Sequence, residues 1–323
     1  MPRHAVIAFG VLLLGLGACS HHASDSSMTP APSAGTDSFN AAACDAWHAE
    51  RIARLTAKDG WLTLIDLAYL DDGVWPIGRA ASNRLRYEHA TADRIGAFLV
   101  EGNRVNFAAD LDSHGHPVAE ITADGAPIDT VQLVADDQGK PTALRNGPLT
   151  ITLVRRNGKL ALRVKDNDSA VRTTFDGIDR FPFDPTLVVE ARFVPATAGA
   201  TIDVTNVKGF VDREELTGTL QGTVHGTSFS FAATEGGKGS LFVVFGDATN
   251  RVTTYGGGRF LDVAIPTGDA TSEQTVTIDF NRAYNPPCSF TEWATCPTPV
   301  ASNRLAIPIE GGERVPARFR SRS

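Results

Sequence analysis

The chain is poor in sulfur and in the polar aromatics: its 323 residues hold four cysteines, two methionines, four tryptophans and four tyrosines. So few cysteines exclude a small disulfide-stapled scaffold, and a chain of this length needs no such staples to bury a core. Positive charge is scarce as well. With 30 Lys and Arg against 37 Asp and Glu the formal net charge is −7, and no long basic run interrupts the sequence. That balance excludes binding driven by phosphate neutralisation, and with it nucleic acid as a partner. The apolar run from Ala5 to Gly17 is too short to cross a bilayer as a helix, which takes about 20 residues. No histidine follows His225, so Cys288 and Cys296 lack the companions a zinc site requires. The Gly-x-Ser-x-Gly elbow, the His-Glu-x-x-His pair and the phosphate-binding P-loop are missing too, so neither metal nor cofactor is expected.

The start of the chain reads as an export signal over residues 1–18: Arg3 and His4, an apolar stretch, then small residues. Leu16-Gly17-Ala18-Cys19 resembles the lipobox of bacterial lipoproteins. The resemblance implies cleavage before Cys19, lipid on that cysteine, and the membrane as a partner through this lipid. Several acyl chains at about 0.8 kcal/mol per buried methylene make a durable anchor. Ser20 after the cysteine implies a cell-envelope address on the outer membrane, facing the periplasm. Residues 19–38 are rich in Ser, Ala, Pro and Thr and read as a flexible tether, with His21 and His22 solvated.

Residues 39–58 carry Trp47, Ile52 and Leu55 near helical spacing, with Asp37 or Ser38 as cap and Asp59-Gly60 as stop. After this one helix the pattern turns to short alternating runs. Trp61 to Leu70 reads as a strand, Asp71-Asp72-Gly73 as a turn and Val74 to Ile77 as a returning strand. Asn157-Gly158 is a preferred two-residue hairpin turn, and it sets Leu153 opposite Leu162 and Ile151 opposite Val164, with Thr152 facing Arg163 on the other side. Further strands are expected at 186–193, 201–207, 216–224, 227–233, 241–246, 251–255, 259–265 and 274–280. Glycine is abundant, at 30 residues, and proline adds 18, which suits many short strands joined by turns. The fold expected is mainly β: an antiparallel sandwich or barrel-like body with one N-terminal helix. Two β subdomains, 59–175 and 176–313, are allowed by the polar stretch at 166–169 and the turn-like Phe181-Pro-Phe-Asp-Pro185; residues 314–323 form a tail.

The region richest in chemistry is the irregular stretch 281–303 with its proline and cysteine residues, since a loop this long in a compact domain is commonly functional. Arg259, Asp279, Asn281, Arg282, Tyr284, Asn285 and Asn303 gather there as a candidate ligand site, the arginines suited to a carboxylate or phosphate. Asp279 and Glu313 are the candidate acid or base. The same residues suit an internal network, with Asp279 on Arg259 and the asparagines bonding loop backbone. In an oxidising envelope Cys288 and Cys296 are expected to form a structural disulfide, with a redox pair as the alternative, and Cys44 is left over. Asp110-Leu-Asp112-Ser-His114-Gly-His116 reads as a polar turn in preference to a metal site. Tyr255-Gly-Gly-Gly258 opens no helix, so its glycines serve a bulge or a close approach of backbone. Ile77-Gly78-Arg79 resembles the Gly-Arg of forkhead-associated domains. The Ser-x-x-His and Asn-Gly companions do not stand at the matching places, so phosphothreonine recognition does not follow.

A wider resemblance runs over residues 45–313. It is carried by Trp61-Leu-Thr-Leu, Gly78, Arg163-Val-Lys-Asp166 and Arg180-Phe-Pro-Phe-Asp184. Thr254-Tyr-Gly-Gly-Gly-Arg-Phe-Leu261, Asp279-Phe-Asn-Arg-Ala-Tyr-Asn-Pro-Pro-Cys288, Cys296-Pro-Thr-Pro299 and Asn303-Arg-Leu305 complete it. In these motifs the chain resembles the domain-of-unknown-function family numbered 1684, with Gly311-Gly-Glu313 where that family tends to have Ala-Gly-Glu. The family has no established activity, so the resemblance bears on fold and boundaries. The functional expectation is a lipid-anchored, non-enzymatic binding or scaffolding protein. The alternative is an envelope hydrolase acting on a small anionic or glycan substrate through Asp279 or Glu313.

Overall fold

The computed structural model describes residues 39–237, 239–266 and 268–316; the expected export signal, the expected tether with Cys19 and the end of the tail lie outside the described residues. The chain is mainly β, in antiparallel sheets, with one long helix at the N-terminal side. That helix, Ala41–Thr56, starts later than Asp37 or Ser38 would set it: Asn40 is the cap, its Oδ1 accepting the Ala43 N–H at 2.9 Å. One face of the helix buries Cys44, Arg51 and Leu55, with Trp47 half-buried beside them.

Two sheets follow, packed face to face. The first orders Leu64–Tyr69, Lys159–Asp166, Leu149–Arg156, Ala143–Asn146, Thr122–Ala123 and Ala126–Pro127. The second orders Leu85–Arg86, Gly73–Gly78, Gly96–Glu101, Arg104–Ala109 and Thr130–Gln132, its Leu85–Arg86 edge pairing in parallel. Their shared core holds Trp75, Ile77, Phe98 and Phe107 from the second sheet, and Ile151, Leu153, Leu162 and Val164 from the first. The Asn157-Gly158 hairpin has the register its turn dictates, Ile151↔Val164, Thr152↔Arg163 and Leu153↔Leu162, with both turn residues at positive φ. A slip by one residue would expose Leu162, which is 0 % exposed, so core and turn enforce the same pairing.

Two sequence expectations change here. Trp61–Thr63 is a 3-10 turn and only Leu64–Tyr69 is strand. Gly73–Gly78 does not return along it but pairs with Gly96–Glu101 in the other sheet. Alternation decides which side chains are buried, and a tight turn can hand the chain across a sandwich as readily as back along one sheet.

The third sheet orders Arg259–Ala264, Ser240–Phe245, Thr227–Glu235, Gly218–Val224, Val188–Pro195 and Gln274–Asp279. It curves around a second core rich in aromatic rings, with Phe229, Phe231, Phe245 and Phe280 in mutual contact. A separate hairpin, Thr201–Thr205 with Val211–Glu215, lies against it. The strand expected at 251–255 is a turn, because the Thr253 and Thr254 N–H groups both bond back to Thr249 O and leave Val252 exposed. Asp110–His116 is a turn as well: Asp112 Oδ1 accepts the His114 and His116 amides.

Candidate functional site

The stretch after the last strand of the third sheet packs between helix and sheet, and its buried polar side chains have traceable partners. Asp279 Oδ1 accepts the Asn281 amide at 3.0 Å and its Nδ2 at 2.9 Å, turning the chain sharply at the strand end. Its other oxygen meets Arg282 Nε at 3.2 Å. Burial pushes the Asp279 carboxyl up, opposed by the Asn281 bonds and by Arg282. Asn281 acts like a strand residue, giving Nδ2 to Asp184 O and taking the Asp184 N–H on Oδ1, both at 2.9 Å. Asn303 does the same deeper in the fold. It bonds both the N–H and the C=O of Ala232 and donates to Val244 O at 3.0 Å, splinting two neighbouring strands of the third sheet.

Arg259 does not pair with Asp279. Its side chain and that of Asp247 are 0 % exposed, and Nη2 stands 2.7 Å from Asp247 Oδ2. Nη2 also donates to Ile309 O at 2.8 Å and Nη1 to Gly311 O, so one guanidinium ties the third sheet to the last segment of the chain. Asp247 is held in turn by Thr249, whose N–H and hydroxyl both bond Oδ1. Gly258, just before Arg259, sits at φ +91; a Cβ there would lie 2.5 Å from Pro299 Cγ and 2.7 Å from Phe245 O, so the glycine run does serve a close approach.

Glu313 lies at the junction of helix and stretch. It is 1 % exposed, Oε1 is 3.3 Å from Arg51 Nε, and Oε2 accepts the Asn285 N–H at 2.7 Å. Arg51 Nη2 donates to Asn285 O at 2.8 Å, and its guanidinium lies over the Tyr284 ring, 4.7 Å from the centroid. Asn285 Nδ2 donates to Arg314 O. Gly312 at φ +75 brings its backbone against Ala283 O, where any side chain would collide. The Tyr284 hydroxyl bonds Asp262, whose carboxyl is pushed up from 3.8 to about 6, chiefly by burial. The folded chain therefore holds a proton that the unfolded chain has lost between these values, and Asp262 makes stability fall as pH rises through that window. Asp262→Asn is expected to raise the melting temperature by a few degrees at about pH 7–8 and to flatten its slope between about pH 4 and 6, read by thermal melts across pH.

The expected Cys288–Cys296 disulfide is not formed. Both residues are buried as thiols, and Cys296 Sγ accepts the Cys288 N–H at 3.1 Å. Cys44 is buried on the helix and donates to Asn281 O at 3.5 Å; burial first, then Asp279, pushes its thiol up, the state of a packed and unreactive cysteine. Among the described residues no group of three or more His, Cys, Asp or Glu side chains is placed to hold a metal ion.

The residues named from sequence do not form one site: Asp279 is bonded to Asn281 and Arg282, and Glu313 to Asn285, whereas Arg259 and Asn303 take other partners. Asn285 and Asn303 are 0 % and 2 % exposed, Tyr284 is 4 %, and only Arg282 keeps appreciable exposure. Asp247, Arg51 and Asp262 were missed. Arg51 carries a signal: it falls four residues after Trp47 and four before Leu55, on the buried face of the helix. Asp247 shows only the Asp-x-Thr spacing of a side-chain-capped turn, which does not name Arg259 as its partner.

Comparison with known proteins finds no match among curated proteins. Of solved structures, the chain is similar to the solution NMR structure of the uncharacterized protein from gene locus rrnAC0354 of Haloarcula marismortui. The two are 31% identical over 44% of this chain and 78% of that one, with a TM-score of 0.38. The FhaA FHA domain complexed with the intracellular domain of Rv3910 is 18% identical over 30% of this chain and 84% of that one, TM-score 0.21. An FHA domain from a study of phosphothreonine-dependent interactions gives 18% over 30% and 79%, TM-score 0.20. Residues 173–314, the segment that carries Arg259, the asparagine splints and Glu313, match the family described as Protein of unknown function (DUF1684), and through this segment the chain belongs to it.

Proposed function

We propose that this is a lipid-anchored protein of the cell envelope, held through Cys19 at the outer membrane and acting by binding or scaffolding rather than by catalysis. The observation that carries the reading is the burial of its best acids. Asp279 and Glu313 are 6 % and 1 % exposed, and each is committed to an arginine and to backbone N–H groups. A general acid or base must come within hydrogen-bond reach of substrate, which neither carboxylate can do from inside the fold. The hydrolase reading, with Asp279 or Glu313 acting on a small anionic or glycan substrate, needs one of them to face an open cleft. In place of a site, the polar cluster acts as a lock that rigidifies the end of the third sheet and seats the helix on it.

The anchor is supported by Leu16-Gly17-Ala18-Cys19 and by the fact that no helix among the described residues is long and apolar enough to cross a membrane. Cells fed an alkyne-bearing palmitate analogue are expected to label the wild-type protein and recover it with outer-membrane vesicles. Cys19→Ala should lose all label and leave the membrane fraction. An unlabelled wild type would overturn the anchor. Hydrolysis of an ester or glycoside panel that vanishes in Glu313→Gln, with the melting temperature unchanged, would overturn the non-catalytic reading.

A further inference from the structure

The segment from Cys288 to Cys296 joins several parts of the fold. Cys288 lies in the 3-10 turn Pro287–Ser289. In the middle of the segment the Thr291 hydroxyl donates to Leu64 O at 3.0 Å, at the head of an edge strand of the first sheet. At its end Cys296 O accepts the Val207 N–H of the separate hairpin at 2.9 Å. Both cysteines belong to an apolar cluster that also takes Leu64 from the first sheet, Phe260 from the third and Trp47 from the helix. They are 5 % and 6 % exposed, and the turn between them reaches solvent at Glu292 and Trp293. Whatever stiffens or loosens this short segment therefore acts on the joint between the two cores.

The Cys288 N–H meets Cys296 Sγ at 3.1 Å. With about 1.5 Å for the N–Cα bond, that sulfur stays within about 4.6 Å of the Cys288 Cα. The Cys288 side chain hangs from the same Cα, so rotation about its Cα–Cβ bond carries one sulfur towards the other while the chain stays in place. We infer that Cys288 and Cys296 are a reversible redox couple, a dithiol in this structure and a disulfide once oxidised, which sets how firmly the joint is held. The oxidant is a disulfide, of a small thiol or of an exchange protein. Cys296 attacks first, because it adjoins the exposed turn and its sulfur already accepts the N–H that steadies a thiolate. Its proton passes to water, its sulfur bonds one sulfur of the oxidant, and the other leaves as a thiolate and is protonated. Cys288 then loses its proton, attacks Cys296 Sγ and expels the second thiol. Two electrons have passed from the cysteines to the oxidant, and the new bond closes a short loop. Such closure restricts the unfolded chain, so the oxidised form is the more stable one. The inference is independent of the anchor and of the buried acids.

The test holds the purified, folded protein in glutathione buffers stepped from reduced to oxidised. Each sample is quenched in acid, unfolded, alkylated and mapped by mass spectrometry. The expected result is a reversible loss of two hydrogens confined to Cys288 and Cys296, with Cys44 alkylated throughout. Oxidation should raise Tm by about 5 °C. It should also slow amide exchange at Val207, whose acceptor is Cys296 O. Cys288→Ala should trap a glutathione adduct on Cys296, whereas an adduct formed only in Cys296→Ala would overturn the order of attack. A dithiol that glutathione disulfide leaves untouched, or a bridge that excess reduced glutathione leaves closed, would overturn the couple. Oxidation that moves neither Tm nor Val207 exchange would overturn its hold on the joint. These last three outcomes are read on the wild-type protein, so a variant that fails to fold does not obscure them.

Discussion

Arg259→Ala is expected to cost about 3–5 kcal/mol of stability, the penalty for stranding one member of a buried ion pair. In a domain of this size that is a fall in melting temperature of about 10 °C. The loss has three sources. Asp247, 0 % exposed in its side chain, keeps only the Thr249 donors and a long 3.3 Å bond from the Ile309 amide once Nη2 is gone. The carbonyls of Ile309 and Gly311 lose their guanidinium donor at the point where the last segment joins the sheet. The removed side chain also leaves a cavity beside Phe245, over whose ring the guanidinium lies at 5.1 Å. Arg259→Met with Asp247→Leu removes both charges together and should recover part of the loss, though not all, since the two carbonyls stay unpaired. Denaturant titration of the two single variants and the double variant gives the coupling directly. A loss below about 1 kcal/mol in Arg259→Ala would mean the guanidinium is solvated, and the lock would have to be abandoned.

What the sequence disclosed followed the range of the interactions. The Asn157-Gly158 hairpin was readable to the residue pair, because a local turn and an alternating core pattern determine it together. The long helix, most strands of the third sheet and the motif residues of the C-terminal stretch were readable for the same reason: spacing, turn residues and composition are local. Partnerships across the chain were not. Leu64–Tyr69 and Gly73–Gly78 adjoin in sequence but join different sheets, since the first finds its edge on Lys159–Asp166, about a hundred residues on. Arg259 and Asp279 looked like a pair because their motifs are close in the chain. Asp247 won the arginine because it sits at the end of Ser240–Phe245, the strand paired with Arg259's own, whereas Asp279 is turned into its own loop by Asn281.

Glu313→Ala is expected to be felt most in the helix Ala41–Thr56, at the other end of the chain. The carboxylate ties Arg51 on the helix and the Asn285 amide in the loop to its own segment, whose backbone is held separately by the Glu313 N–H on Ala283 O at 2.8 Å and by a bridge to Arg180. Removing it leaves the Asn285 N–H without an acceptor and Arg51, 7 % exposed, with one carbonyl and the Tyr284 ring for company. A buried N–H and a half-paired guanidinium cost about 2–4 kcal/mol together. The cost has a route to relief that Arg259→Ala lacks. The helix is held by one face, so it can lift, release Arg51 to water and expose Trp47 and Leu55, while the third sheet keeps its own aromatic core. Hydrogen exchange should therefore quicken in residues 41–56 and 283–288 and stay slow in Leu220, Phe231 and Val243. Arg51→Met should reproduce the pattern, because it breaks the same junction from the opposite side. A uniform rise in exchange across all three sheets would instead make Glu313 a part of the global core, and the helix would then be no separable unit for a binding or scaffolding role to use.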